Sequence, residues 1–191
     1  TWGSQVAING EAAVYFSNKV KSISGGDVQL RFHEPNALVP SLEVWDAVKN
    51  GSVDAGYTTP GYHAGKIPAV SYFTAVPFGP GASEYHGWME YGGGQQLKDR
   101  IYGEYGLKAL NCLTHAPETS GWFRKKINNV EELKGMKMRF FGLGAMVMSK
   151  LGVSTQLLAG GDIYPALEKG VIDATEFSMP THDLSYGFYQ L

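Results

Sequence analysis

The residues of this chain that could do chemistry are an arginine and a glutamate near the ends of predicted strands and a second glutamate beside aromatics. Arg139 stands in Lys137-Met138-Arg139-Phe140-Phe141-Gly142, near the C-terminal end of a predicted strand and just before a glycine-bounded loop and helix. Ligands of open α/β sheets gather beyond the carboxyl ends of their strands. A guanidinium suits that place, because its planar fork grips a carboxylate through two parallel hydrogen bonds and never loses its charge. An ordinary surface arginine on a strand edge has the same sequence context, so residue type alone leaves both readings open. Glu176 follows Val171, Ile172 and Ala174, again at a predicted strand end. A carboxylate there either pairs with a cation or is solvated at a loop edge; buried with neither, it would rise in pKa and stay neutral. Glu118, in Pro117-Glu118-Thr119-Ser120-Gly121-Trp122, is a further acidic group beside aromatics. Two carboxylates converging with a ligand oxygen could hold a hard cation such as Na⁺ or Ca²⁺, although two glutamates so distant in sequence do not make a site by themselves.

No enzyme template accompanies these residues. The chain has no Gly-x-x-x-x-Gly-Lys phosphate loop, no Gly-x-Gly-x-x-Gly after a strand, no His-Glu-x-x-His and no Gly-x-Ser-x-Gly elbow. Its 5 histidines lack zinc-ligand spacing, and Gly92-Gly93-Gly94 is followed by no lysine at the place a phosphate cradle needs. The lone Cys112 rules out an intrachain disulfide and is expected to be a small buried residue. A formal charge of −2 argues against a nucleic-acid surface, and 43% hydrophobic residues over 191 positions suffice for a real core. No apolar run is long enough to span a bilayer. Thr1-Trp2-Gly3-Ser4 shows no signal peptide, which a processed secreted protein and a cytosolic one share.

The elements that would position these groups alternate between helix and strand. Ala13, Phe16, Val20 and Ile23 repeat at near-helical spacing over 11–23, with Gly25-Gly26 as the stop. A short strand is predicted at 28–32, a helix capped by Ser41 and running to Lys49, and a buried strand at 53–58. A helix is expected from about Ser83 to Tyr91. Asn129 and Glu132 stand at capping-box spacing before a short helix ending at Gly135. Beyond it come a strand at 136–141, a helix at 143–151, a helix from Asp162 to Gly170 and a strand at 171–177. This alternation points to an α/β sheet.

One internal similarity organises the pattern. Trp45-Asp46-Ala47-Val48-Lys49-Asn50-Gly51-Ser52-Val53-Asp54-Ala55 matches Tyr164-Pro165-Ala166-Leu167-Glu168-Lys169-Gly170-Val171-Ile172-Asp173-Ala174, each a helix stopped by glycine with a strand to follow. Two such copies suggest two similarly built lobes with a cleft between them, although helix–glycine–strand is common in any α/β protein.

Nearly the whole chain resembles the solute receptors of tripartite ATP-independent periplasmic (TRAP) transporters, the DctP-like family. The resemblance is carried by Leu38-Val39-Pro40-Ser41-Leu42-Glu43-Val44-Trp45-Asp46-Ala47-Val48, Ala75-Val76-Pro77-Phe78-Gly79, Gly121-Trp122-Phe123-Arg124-Lys125-Lys126-Ile127, Leu133-Lys134-Gly135-Met136-Lys137-Met138-Arg139 and Ala166-Leu167-Glu168-Lys169-Gly170-Val171-Ile172-Asp173-Ala174. It implies an α/β, two-lobed periplasmic binding protein-like fold with a central ligand cleft, the lobes expected at 1–115 and 116–191. It also implies a periplasmic location with the signal peptide removed, membrane subunits of a TRAP transporter as partners, and binding without catalysis. Arg139 would grip the ligand carboxylate. The stretch Ala174-Thr175-Glu176-Phe177-Ser178-Met179-Pro180, then Asp183 and Gly187-Phe188-Tyr189, is similar to the branch that takes 2-oxo or 2-hydroxy acids bridged to the protein by a metal ion.

In that branch Glu176 would ligate the metal, joined by the carbonyl of Phe177, where the family usually has Trp. Glu118 falls where the family often has Gln, and its extra negative charge would favour a divalent ion over Na⁺. Tyr62 matches a family aromatic near the ligand, Phe140 and Phe177 would enclose its aliphatic end, and Trp2 would close over the cleft. The other readings are a receptor for a larger organic or sugar acid without metal, and a ligand-sensing domain. Members of the branch can be homodimers, and the chain, shorter than the family, is expected to be incomplete at its C-terminus.

Overall fold

The computed structural model describes residues 1–191. They pack as two compact units, Thr1–Thr58 with Tyr102–Thr114, and Thr59–Ile101 with His115–Leu191. Residues 59–101 group with the C-terminal residues in the second unit.

In the first unit, helix α1 (Asn9–Ile23) starts where the Glu11 carboxylate accepts from the Ile8 N–H at 3.2 Å, half of a capping box. A 3₁₀ turn at Ser41–Glu43 leads into helix α2 (Val44–Lys49), which ends before Gly51 at φ 72°, a left-handed conformation that glycine adopts without strain. Pro40 and not Ser41 occupies the cap, and the Ser41 N–H donates to Asn36 Oδ1 at 2.9 Å. Buried Trp45 on α2 tilts against Tyr102 at 4.7 Å and meets Tyr105 edge-on at 5.6 Å. The strands expected at 28–32 and 53–58 do not form. No partner strand takes up their backbone groups, and Val28 and Leu30 turn outward rather than into a core. The glycine-stopped helix is therefore common to both copies of the internal similarity, while the following strand exists only in the second. Cys112, expected to be buried, is exposed.

The second unit contains helix α3 (Ala82–Tyr91), most of helix α4 (Gly94–Gly103) and three later helices. It also holds a four-stranded mixed sheet. Its strands are β1 (Trp122–Phe123), β2 (Lys137–Arg139), β3 (Ser154–Gln156) and β4 (Ala174–Thr175), in the order β1-β4-β2-β3. β2 pairs parallel with both β3 and β4, and β1 closes the other side of β4 antiparallel. The parallel crossovers run through α5 (Gly142–Lys150) and α6 (Gly160–Glu168), the connection such pairs require. Helix α7 (Pro180–Ser185) follows β4, with proline in its first turn, where the missing N–H costs nothing. Asn129 caps the short 3₁₀ turn at Val130–Leu133 by accepting from the Glu132 N–H, as the spacing predicts.

Around β2 the chain alternates. Met136 and Met138 join Val153 and Ala174 in one apolar cluster, and Phe140 packs against that same cluster. Arg139 and Phe141 therefore project from the opposite face. Burying Met138 completely contributes roughly 1.5–3 kcal/mol, so this face is held firmly to the core. No helix is long and apolar enough to cross a membrane.

Candidate functional site

The register of the sheet brings the first two candidates together. Arg139 is opposite Thr175 across the parallel β2–β4 pair, so Glu176 comes one residue past the carboxyl end of β4. The Glu176 N–H donates to the Arg139 carbonyl at 3.1 Å, continuing the ladder beyond the strand. Arg139 is 1% exposed. Its Nη1 donates to the Glu176 carbonyl at 2.7 Å and to Glu176 Oε2 at 3.1 Å, and its Nε donates to the Leu158 carbonyl at 3.2 Å. The Phe141 N–H donates to the same Oε2 at 3.0 Å, while Oε1 is buried without a hydrogen-bond partner. Burial pushes the Glu176 carboxyl up, opposed chiefly by the Arg139 charge. The arginine is thus no surface residue, and the glutamate keeps one oxygen uncommitted.

Aromatic rings enclose the guanidinium. Its Cζ lies 5.1 Å from the Phe177 ring centre and 5.9 Å from that of Phe141, within cation–π range of both. Phe177 is wedged among His182, Tyr186 and Phe188, with the Tyr186 ring edge-on at 4.9 Å. A side chain at Gly160 would meet the Phe177 Cζ at 2.6 Å, so helix α6 approaches this ring with its bare backbone. Phe141 is covered in the same way: a Cβ at Gly61 would come within 2.0 Å of its Cζ, and Tyr62 lies edge-on to it at 5.4 Å. This packing explains why the 3₁₀ turn Pro60–His63 belongs with the C-terminal residues. The buried Tyr62 hydroxyl is pushed up in pKa by burial, an effect that the charge of Arg139 and a hydrogen bond to it oppose.

Glu118 approaches from the stretch before β1. Thr119 Oγ1 donates to the Ser178 carbonyl at 3.3 Å, and His115 Nδ1 lies 3.4 Å from Ser178 Oγ, which docks this stretch beside Phe177. Burial and the nearby charge of Glu176 push the Glu118 carboxyl up to about 8. Asp183, fully buried on α7, raises it further and is itself raised, mainly by burial. Asp183 Oδ2 accepts from the Trp122 indole N–H at 2.7 Å, leaving Oδ1 without a partner. His182 is held neutral, its pKa lowered to about 4 by burial and then by His115.

Arg139, Glu176, Glu118, Phe177 and Tyr62 are therefore neighbours. Phe140 is not among them: strand alternation sends it to the apolar cluster, and Phe141 faces Arg139 instead. Trp2 belongs to the other unit, where its ring meets Tyr57 edge-on at 5.7 Å. Residue types did not single out Phe141, and Asp183 entered only through the family-like stretch; the alternation Met136, Met138, Phe140 was the available signal for the first. An open cavity of about 160 Å³ lined by Trp122, Phe123, Arg124, Leu167, Phe188, Tyr189 and Leu191 includes none of the charged groups around Arg139. The oxygens suited to a hard cation are the Glu118 and Glu176 carboxylates and the Phe177 carbonyl. No three His, Cys, Asp or Glu side chains gather into a metal cage. Such a set fits an ion only if a bound molecule or water completes the six to eight oxygens that a cation like Ca²⁺ takes.

Residues 2–191 match the family model of bacterial extracellular solute-binding proteins, family 7 (DctP). The monocarboxylate 2-oxoacid-binding periplasmic protein all3028 of Nostoc sp. (strain PCC 7120) is 40% identical over 171 residues, which are 90% of this chain and 47% of that protein. The chain spans about half the length of the curated relatives it matches. Among solved structures, a TRAP transporter solute-binding protein of Bordetella bronchiseptica RB50 superposes with a TM-score of 0.96 at 36% identity. The match covers 99% of this chain and 56% of that one, a dimer with copurified calcium and picolinate in its active site. A TRAP periplasmic solute-binding protein of Pseudoalteromonas atlantica T6c, with bound sodium and pyruvate, gives a TM-score of 0.95 at 38% identity over 99% of this chain and 57% of its own. The α/β fold of this chain is therefore that of the TRAP periplasmic solute-binding proteins.

Proposed function

The chain belongs to the bacterial extracellular solute-binding proteins, family 7, and from that we propose that it forms the carboxylate-binding part of a periplasmic receptor for a small 2-oxo or 2-hydroxy monocarboxylate. The receptor would deliver this acid unchanged to the membrane subunits of a TRAP transporter. The observation that carries the reading is the buried Arg139–Glu176 pair, enclosed by Phe141, Phe177 and Tyr62, with Glu176 Oε1 free of any protein donor. A relative that is 40% identical and named for 2-oxoacid binding supports the acid class, and a neighbour holding pyruvate supports a short one.

Arg139 would supply charge-assisted hydrogen bonds to the acid's carboxylate, each contributing roughly 1.5–3 kcal/mol net. Micromolar affinity needs about −8 kcal/mol, which leaves the aromatic enclosure and one further charge to provide the remainder. Glu176, Glu118 and the Phe177 carbonyl would hold a Na⁺ or Ca²⁺ ion, which supplies positive charge to the acid's oxygens. The uncommitted Glu176 oxygen and the excess of carboxylates over Arg139 fit such an ion. Phe141 and Phe177 keep the guanidinium plane in one orientation and exclude water from it. The lobes at 1–115 and 116–191 and a homodimeric assembly belong to this proposal for the whole protein.

The test is native mass spectrometry of the full-length protein titrated with pyruvate, before and after Ca²⁺ is removed by chelation and Na⁺ by exhaustive exchange into ammonium acetate. Binding that is lost with the metal and restored by adding it back supports the reading. Binding that survives removal of both ions, or a sugar acid preferred over pyruvate, overturns it.

A further inference from the structure

Resting on that receptor reading, we infer that Asp183 is a positioning residue for acid binding: it clasps Trp122, and through helix α7 it holds the Phe177 ring over the Arg139 guanidinium. The path of the chain makes the clasp possible. Trp122 stands opposite Thr175 in the antiparallel β1–β4 pair. Continued past the strand ends, that register sets Thr119 opposite Ser178, and the Thr119 hydroxyl does donate to the Ser178 carbonyl at 3.3 Å. Beyond Ser178 the chain turns at Pro180 into α7, which brings Asp183 back to β1. There Asp183 Oδ2 accepts from the Trp122 indole N–H at 2.7 Å, and the Ser178 N–H and the Thr119 hydroxyl face the same carboxylate.

Helix α7 has 6 residues, too few to keep a fixed place unaided. Yet it carries His182 and, at its C-terminal cap, Tyr186, whose rings wedge Phe177 from 5.5 Å and 4.9 Å. The Phe177 ring centre in turn lies 5.1 Å from the Arg139 Cζ. A rotation of α7 on β1 therefore reaches the guanidinium through two ring contacts. The hydrogen bond of 3.0 Å between Ser178 Oγ and His182 Nδ1 ties α7 to its own entry turn, whereas the Asp183 side chain ties it across to β1. Packing alone does not call for an acid at this place. Asp183 is fully buried, and a carboxyl away from water is costly, whereas an apolar side chain of similar shape would fill the same space. What the carboxyl adds is direction: an acceptor that meets one indole N–H fixes both the distance and the angle of α7 against β1.

The experiment uses the full-length protein in buffer containing CaCl₂. Calorimetry with pyruvate compares native protein with Asp183→Leu, with Trp122→Phe, with the two combined, and with Asp183→Asn, whose amide oxygen still accepts from the indole. NMR of the same proteins labelled with ¹⁵N-arginine, without pyruvate, follows the Arg139 Nε–Hε signal, which the Phe177 ring displaces. Asp183→Leu and Trp122→Phe are each expected to weaken binding about tenfold at unchanged stoichiometry and to move the Arg139 signal. Together they are expected to do no more than either alone, because both break the same contact. Asp183→Asn is expected to stay within about threefold of native affinity and to leave the signal in place. A role in stability alone would lower the melting temperature and the bound stoichiometry, while the affinity of the folded molecules and the Arg139 signal stay native. That outcome, losses that add in the combined variant, or an Asp183→Asn as weak as Asp183→Leu overturns the inference. Failure of the receptor reading has a different signature, native protein that binds no pyruvate. The Arg139 signal then decides the clasp, supporting it if both single variants move the signal and overturning it if they do not.

Discussion

Replacing Arg139 with methionine removes the guanidinium and keeps an unbranched apolar stem between the Phe141 and Phe177 rings. Glu176 Oε2 is left with the Phe141 N–H as its donor, and the carbonyls of Leu158 and Glu176 each lose one. Breaking a buried ion pair from one side costs roughly 3–5 kcal/mol. A proton limits the charge part of that loss. Neutralising a carboxyl of ordinary pKa 4.5 at pH 7 spans about 2.5 pH units at about 1.4 kcal/mol each, so no more than about 3.4 kcal/mol. The two carbonyls account for roughly 1 kcal/mol each. Without Arg139 the folded-state pKa of Glu176 rises further above its unfolded value. The folded form then binds more protons than the unfolded one, and stability falls as pH rises from about 4.5 toward the folded pKa. The deficit against native protein is therefore largest near pH 7 and shrinks toward pH 4.5. Urea unfolding of the full-length protein without ligand is expected to show a deficit of roughly 4 kcal/mol at pH 7, smaller by at least about 1 kcal/mol at pH 5. Calorimetry is expected to show pyruvate affinity reduced more than about a hundredfold. A deficit that does not change with pH, together with intact pyruvate binding, would refute both the buried pairing and the role given to Arg139.

Two neighbouring phenylalanines separate structure from binding. Phe141→Leu is expected to weaken pyruvate binding about tenfold by uncovering Arg139, with a small change in unfolding free energy. Phe140→Ala costs roughly 2–4 kcal/mol of stability through the Met136–Met138 cluster and leaves affinity near native; paired calorimetry and urea melts read the contrast. His182 is buried neutral, with its pKa lowered to about 4 from 6.5, so the folded state resists a proton that the unfolded state accepts. Its contribution is present above pH 6.5 and lost as pH falls toward 4. Stability profiles over that window should flatten in His182→Gln, and an unchanged profile would count against the buried neutral form.

Arg139 and Glu176 stood out as candidates in the sequence for a local reason: each closes an apolar run where a parallel strand ends, and ligand chemistry collects there, whereas Glu118 stood out only as an acid beside aromatics. The glycine-stopped helices were legible as well, since the stop depends on a single left-handed residue. The strands expected at 28–32 and 53–58 failed because a strand exists only with a partner, and pairing is not a property of the segment itself. Phe140 was expected at the ligand and Phe141 was not singled out, although period-two alternation puts adjacent residues on opposite faces. Asp183 was hidden differently. A polar residue in the first turn of a short helix reads as a solvated face, and burial against Trp122 depends on β1, some sixty residues earlier.

The three-residue strand β2 carries one further consequence. Its two faces serve unlike environments, oily on the side of Met136, Met138 and Phe140, charged on the side of Arg139 and Phe141. A deletion or insertion of one codon between Met136 and Arg139 would exchange them, driving the guanidinium into the Met138 cluster and offering Phe140 to the ligand. Across descendants of this gene, that stretch should vary by substitution while its length stays frozen, so that reading-frame-preserving indels drift freely in the loops but are purged here.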